Sequence, residues 1–186
     1  MDGLVELMGG RDAFIGKLDS LFTADSKLEG ESTSVDISGL IGQYAHGNEP
    51  SHHIAHLYNY VGQPWRTQEI VDEVLHTLYF NNPDGLSGNE VCGQMSAWYI
   101  LNAMGFYQVC PGKPVYSIGR PLFNEATVHL KDGKSFKVIA HNNSRDNKYV
   151  RSIVLNGNKL ETPFFTHQDI VDGGTLELTM GSEPLK

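Results

Sequence analysis

Val61-Gly62-Gln63-Pro64 (VGQP) lies between two stretches of helical periodicity, and its reading sets the architecture of the first half of the chain. Glycine closes a helix in the left-handed conformation, and proline suits the first position of the next, where an N–H would go unused. So short a connection sends the second helix back alongside the first. Upstream, Pro50 opens a segment carrying Ile54, Leu57, Tyr58 and Val61, which Gly62 ends. Downstream, Pro64 opens one with Ile70, Val71, Val74, Leu75 and Leu78 on a single side. Asn81-Asn82-Pro83-Asp84-Gly85 breaks this second helix. A third is predicted from near position 90 to position 104, stopped by Gly105. Its apolar residues Met95, Trp98, Tyr99, Ile100, Leu101 and Met104 nearly encircle it, which predicts burial on most sides.

The there-and-back path has a consequence for a repeated phrase. Gly47-Asn48-Glu49-Pro50 precedes the first of these helices, and Gly88-Asn89-Glu90-Val91 precedes the third. Both therefore belong on one rim. Either phrase alone reads as an ordinary helix start, with Asn capping free amides and Glu favouring the positive end of the dipole. Two of them on one rim, close to histidines and aromatics, suit a sugar. Carboxylates and amides bind hydroxyls in pairs, while aromatic faces pack on the C–H side of a ring. Asn48, Glu49, His52, Asn89 and Trp98 are the candidate sugar contacts. His52 and His56 also have an i, i+4 spacing that can hold zinc, but without the glutamate of an HExxH motif or an evident third ligand.

Further out, Phe14, Leu18, Leu21 and Phe22 mark one face of an earlier amphipathic helix, followed by a polar loop over residues 26–36. After Pro111 the period changes to two. Strands are predicted over residues 126–130 and 135–140 around Asp132-Gly133, over 149–155 leading into Asn156-Gly157, and over 175–179. The expected fold class is α+β: a helical part over residues 1–110, then an antiparallel β-sandwich-like module over residues 111–186, joined by a Pro- and Gly-bearing bridge. The 186 residues are 40% hydrophobic and 19% charged, ordinary for globular material. A net charge of −8 with no basic tract argues against a nucleic-acid partner. No apolar run approaches the roughly 20 residues that span a bilayer, and the first residues lack the basic start and apolar stretch of a signal peptide. Cys92 and Cys110 make neither a disulfide framework nor a metal cluster and are expected to be structural.

His46-Gly47-Asn48-Glu49-Pro50-Ser51-His52-His53, followed by Leu57-Tyr58-Asn59-Tyr60, resembles glycoside hydrolase family 92. Asp84-Gly85-Leu86-Ser87-Gly88-Asn89-Glu90, with Gly93-Gln94-Met95-Ser96-Ala97-Trp98-Tyr99, looks like a second signature of that family. Tyr116-Ser117-Ile118-Gly119-Arg120-Pro121-Leu122-Phe123 and Leu155-Asn156-Gly157 resemble its closing β segment. The resemblance implies a calcium-dependent, exo-acting α-mannosidase from glycan-degrading bacteria, with an (α/α) barrel joined to a β-sandwich. It implies inversion: one carboxylic acid protonates the leaving oxygen while another carboxylate, about 6.5–9.5 Å away, activates water. Calcium would hold the mannose through its hydroxyls, with Glu49 and Glu90 as candidate oxygen ligands.

Two departures from the family pattern stand out. Val91 occupies the position where the resemblance expects the Asp general base, leaving Glu90 as a possible substitute base that the following helix would hinder. The expected general acid lies upstream of the stretch that Asp2-Gly3-Leu4 resembles. The sequence thus predicts the C-terminal part of an α-1,2-mannosidase-like hydrolase, inactive in isolation, that works with the remainder of its barrel upstream on mannose-containing glycans. The parent would be secreted, periplasmic or on the outer surface. A non-catalytic glycan-binding relative with a decayed site is the alternative.

Overall fold

The computed structural model describes residues 1–28, 34 and 37–186, so most of the predicted polar loop over residues 26–36 lies outside the described residues. Helices α1 (Asp2–Leu7) and α2 (Arg11–Thr23) come first; α2 buries Phe14, Leu18 and Phe22, the expected face. The short hairpin β1 (Leu40–Ile41) and β2 (Tyr44–Ala45) turns through Gly42, where a Cβ would stand 2.4 Å from the Leu21 carbonyl oxygen. Only glycine lets this hairpin lie against the end of α2.

The segment opened by Pro50 departs from expectation. It forms two stretches of 3-10 helix, Glu49–Ser51 and Ile54–Val61, rather than one α-helix. A three-residue repeat aligns side chains in straight ridges. Ala55, Tyr58 and Val61 line one buried ridge, and His56 and Asn59 line another. The polar ridge meets the sheets: Asn59 Nδ2 donates to Ser117 Oγ (2.6 Å) and to the Ile118 carbonyl (2.8 Å). Gly62 adopts the left-handed conformation (φ 69°) and starts the return along α3 (Pro64–Thr77), which buries Ile70, Val71, Val74 and Leu75. Helix α4 spans Gln94–Met104 and starts four residues later than predicted. Val91 and Cys92 before it have positive φ (41° and 55°), so the helix cannot extend back to Glu90. Its burial is also narrower than expected: Met95 and Trp98 are buried, but Ile100 is 56% exposed.

Strand β3 (Phe106–Tyr107) pairs with β4 (Val115–Ile118), and β4 with β9 (Phe164–Thr166), making a small antiparallel sheet. The larger sheet has the order β5-β6-β10-β7-β8, from β5 (Glu125–His129), β6 (Ser135–His141), β7 (Tyr149–Leu155), β8 (Asn158–Lys159) and β10 (Gly174–Gly181). Both predicted hairpins form. The expectation of a wholly antiparallel module fails at the centre, where β10 runs parallel to β6. The chain first visits the small sheet at β9, then passes through α5 (His167–Val171), whose start is held by a Thr166/Asp169 capping box. It thereby returns in the same direction as β6. Phe165 of the small sheet stacks on Phe136 of the large one (centroids 5.8 Å apart) within a cluster that includes Ile118, Val138, Leu176 and Leu178. A second apolar cluster gathers α2, the 3-10 segment, α3 and Trp98.

Polar ties join helices to sheet. Asp72 on α3 lies 2.9 Å from Arg120 Nε and 3.2 Å from His76 Nδ1, and Arg120 donates to the Pro121 and Ser144 carbonyls. Tyr149 Oη donates to Glu69, and the Val150 amide to Gln68 Oε1. Cys92 and Cys110 are free and exposed, so neither packs in a core, contrary to the structural role expected of them.

Candidate functional site

The two Gly-Asn-Glu turns meet. A Cβ on Gly88 would stand 2.3 Å from the Gly47 carbonyl oxygen and 2.9 Å from Gly47 Cα, so the second turn rests backbone-to-backbone on the first. Gly88 is also left-handed (φ 65°). Gly88→Ala is therefore expected to destabilise the chain by about 2–3 kcal/mol, from the strained φ and the forced separation. Urea unfolding followed by tryptophan fluorescence would measure this loss.

Beneath the contact lies a buried polar and aromatic web. His46, the residue before the first turn, is bracketed by Tyr44 Oη at 2.9 Å from Nδ1 and Tyr79 Oη at 2.7 Å from Nε2. The Tyr79 hydroxyl hydrogen goes to the Met95 carbonyl (3.1 Å), so His46 carries its proton on Nε2 and accepts from Tyr44. His52 donates from Nε2 back to the His46 carbonyl (3.0 Å) and accepts on Nδ1 from Gln94 Nε2 (3.2 Å). Trp98 Nε1 donates to the His52 carbonyl (3.1 Å). The His46 ring stacks on His52 (4.7 Å) and meets Trp98 edge-on (4.4 Å). Burial lowers the pKa of His52, and that of His46 to about 3, because an imidazolium would lose its hydration there.

The predicted site residues therefore divide into two layers. Asn48 and Glu49 are half-buried at the first turn and Asn89 is exposed at the second. His52 and Trp98 are 1% and 0% exposed, so they cannot offer a face to a sugar as the sequence suggested; they hold the first turn from below. His52 and His56 do not share a metal either. His56 is fully buried, 3.1 Å from Ser117 Oγ and 2.8 Å from Asn102 Oδ1, with its pKa lowered to about 4 by burial. His46, Tyr79 and Gln94 were not expected at the site. His46 and Gln94 fall inside the quoted motifs, but nothing in their spacing marks them as partners.

Glu90 has a specific local task. Its Oε1 accepts the Ser96 amide (3.2 Å) and its carbonyl accepts the Met95 amide (3.4 Å), so it caps α4 across the left-handed residues Val91, Cys92 and Gly93. Its Oε2 is buried without a hydrogen-bond partner; burial holds the nearby Tyr79 phenol protonated, and the Glu90 carboxylate adds to that effect. Glu49 likewise acts electrostatically on His52. The two glutamates thus flank one continuous path, His52–His46–Tyr79. As to calcium, Glu90 Oε2 is a hard oxygen donor of the right type. Among the described residues no group of three His, Cys, Asp or Glu side chains converges around it.

Comparison with known proteins places this site in context. The family model for the glycosyl hydrolase family 92 catalytic domain matches residues 1–182. A solved family GH92 α-mannosidase from Bacteroides thetaiotaomicron, in complex with mannoimidazole, is 43% identical with a TM-score of 0.88, over 95% of this chain and 23% of that one. A family GH92 inverting mannosidase from the same organism is 45% identical with a TM-score of 0.83, over 98% of this chain and 26% of that one. A curated relative from Arthroderma benhamiae, described as an uncharacterized secreted glycosidase, is 30% identical over 98% of this chain. The chain spans 22% of that relative's length. With a match from its first residue to residue 182, and two solved members superposing over nearly all of it, the chain belongs to glycosyl hydrolase family 92.

Proposed function

We propose that this chain is the C-terminal portion of an exo-acting α-mannosidase that hydrolyses terminal mannose from glycans with inversion. The observation that carries the reading is the contact of the two Gly-Asn-Glu turns, Gly88 on Gly47, in a chain of this family. Residues 1–110 would contribute helices to an (α/α) barrel completed by upstream sequence, and residues 111–186 a β-sandwich-like module. Asn48, Glu49 and Asn89 contact the sugar hydroxyls from the rim. The general acid comes from upstream. Val91 can neither accept a proton nor orient water, which leaves Glu90 Oε2 as the only substitute base at this turn, and a poor one, since Oε1 is committed to α4. Calcium would supply Lewis-acid charge to bound hydroxyls, with Glu90 and Glu49 as partial ligands and the rest from outside this chain. The secreted relative supports a secreted, periplasmic or outer-surface parent. The net charge of −8 gives no handle for nucleic acid, and no helix among the described residues is long and apolar enough to cross a membrane.

Incubated with α-1,2-mannobiose, the purified 186-residue chain should release no mannose above a buffer blank, as followed by proton NMR of the anomeric signals. Release of β-mannose by this chain alone would overturn the requirement for an upstream acid. Val91 also favours a second reading, a non-catalytic glycan-binding relative.

A further inference from the structure

We propose that Gln94, His52 and His46 are positioning residues: together they set the separation and tilt of the two Gly-Asn-Glu turns, and so the placement of Glu49 relative to Glu90. The inference rests on the mannoside reading for its functional consequence, but its geometry stands apart from it.

The first turn has little regular structure to hold it. It is a three-residue 3-10 stretch at Glu49–Ser51, and the second turn passes through three successive left-handed residues. The first turn has 3-10 hydrogen bonds from the Ser51 and His52 amides to the Asn48 and Glu49 carbonyls, and the second is bonded through Glu90 to the start of α4, but these bonds do not run from one turn to the other. His52 adds a constraint by closing the first turn on itself, Nε2 to the His46 carbonyl across six residues. Gln94 is the first residue of α4, directly after the second turn, and its amide donates both to His52 Nδ1 and to Tyr107 Oη (3.1 Å). His46 makes the second crossing, through Tyr79 to the Met95 carbonyl. The two turns are thus tied at two points one residue apart on α4, which fixes rotation as well as distance. Along these two crossings Tyr44 and Gln94 donate to the Nδ1 atoms while the Nε2 atoms face the Tyr79 hydroxyl oxygen and the His46 carbonyl, so each imidazole is confined to its Nε2–H tautomer. A tautomer flip at His52 would set two N–H groups against each other and open the crossing.

The experiment uses the natural thiol in the second turn. In a Cys110→Ser background, spin labels are placed on Cys92 and on the thiol introduced by His53→Cys, both exposed positions. A single narrow distance distribution is expected. Gln94→Leu should at least double its width and weaken binding of methyl α-mannoside about tenfold. Gln94→Glu keeps a side chain of the same length beside His52 and should restore the narrow width. If Gln94→Leu does not fold, Gln94→Asn, one methylene too short to reach His52, carries the same expected widening. Unchanged width in Gln94→Leu or Gln94→Asn would overturn the proposal. If the widths respond as expected while neither the unsubstituted protein nor any variant binds the mannoside even with the upstream sequence attached, the positioning role holds and the mannoside reading falls.

Discussion

Val91→Asp, made in a protein that carries the upstream sequence, should raise mannoside hydrolysis by about 10²–10⁴-fold, the range of a well-placed general base. Two features of the structure support so large an effect. Val91 sits at φ 41°, a region that a β-branched side chain enters at a cost of roughly 1–2 kcal/mol and that Asp or Asn tolerates better. The backbone therefore already has the shape that a short polar side chain prefers. Val91 is also 39% exposed, so its replacement opens no cavity. An added carboxylate near the start of α4 gains a few tenths of a kcal/mol from the helix dipole. Mannose release from an α-mannobioside reads the activity, and a thermal melt should rise by a few degrees. Val91→Asn is the control, since it relieves the strain without supplying a base. Equal turnover in the Asp and Asn variants would sink the reading of position 91 as the lost general base and favour the glycan binder.

The second large effect is expected at Asp72. Arg120 is 2% exposed and its nearest carboxylate is Asp72, with Nε and Oδ1 2.9 Å apart in a contact of charges rather than an aligned hydrogen bond. Arg145, at 3.7 Å, adds only an exposed second cation. Burial lowers the Arg120 pKa and Asp72 opposes that shift, so loss of Asp72 leaves a guanidinium with carbonyl partners alone. Asp72→Asn should cost about 3–5 kcal/mol. In a chain of this size that corresponds to roughly 10 °C in melting temperature. Asp72→Leu combined with Arg120→Met should recover much of the loss, because the pair is more costly to break than to replace. A double variant no better than Asp72→Asn would mean that the cluster stabilises through something other than paired charge.

The hairpins could be read from the sequence because their signal is local. Asp132-Gly133 and Asn156-Gly157 both lie entirely at positive φ, as the dipeptides demand. The meeting of the two turns was also legible, since a short Gly-Pro connection fixes helix direction. The parallel pairing of β6 and β10 was not: the two strands are separated by the whole β7–β9 excursion, and hairpin chemistry carries no information about partners that far apart. The 3-10 form of residues 54–61 was hidden for another reason. Ile54, Leu57, Tyr58 and Val61 follow a 3.6-residue repeat, which reads as α-helix, and the tertiary hydrogen bonds of His56 and Asn59 to the sheets and α4 override that local pattern. Trp98 and His52 were misplaced at the rim because their buried polar atoms find partners within the protein, including backbone carbonyls, which residue type cannot reveal.

The order in which β10 reaches its neighbours bears on biosynthesis. During translation the β5–β6 and β7–β8 hairpins emerge first, but they cannot join each other, because the strand between them has not yet been made. Lys159 ends β8 and Gly174 begins β10, 15 residues later. At ribosomal rates that is about one to three seconds during which two half-sheets wait with open edges. The nascent chain should be most vulnerable to misassembly and most in need of chaperone cover in that interval.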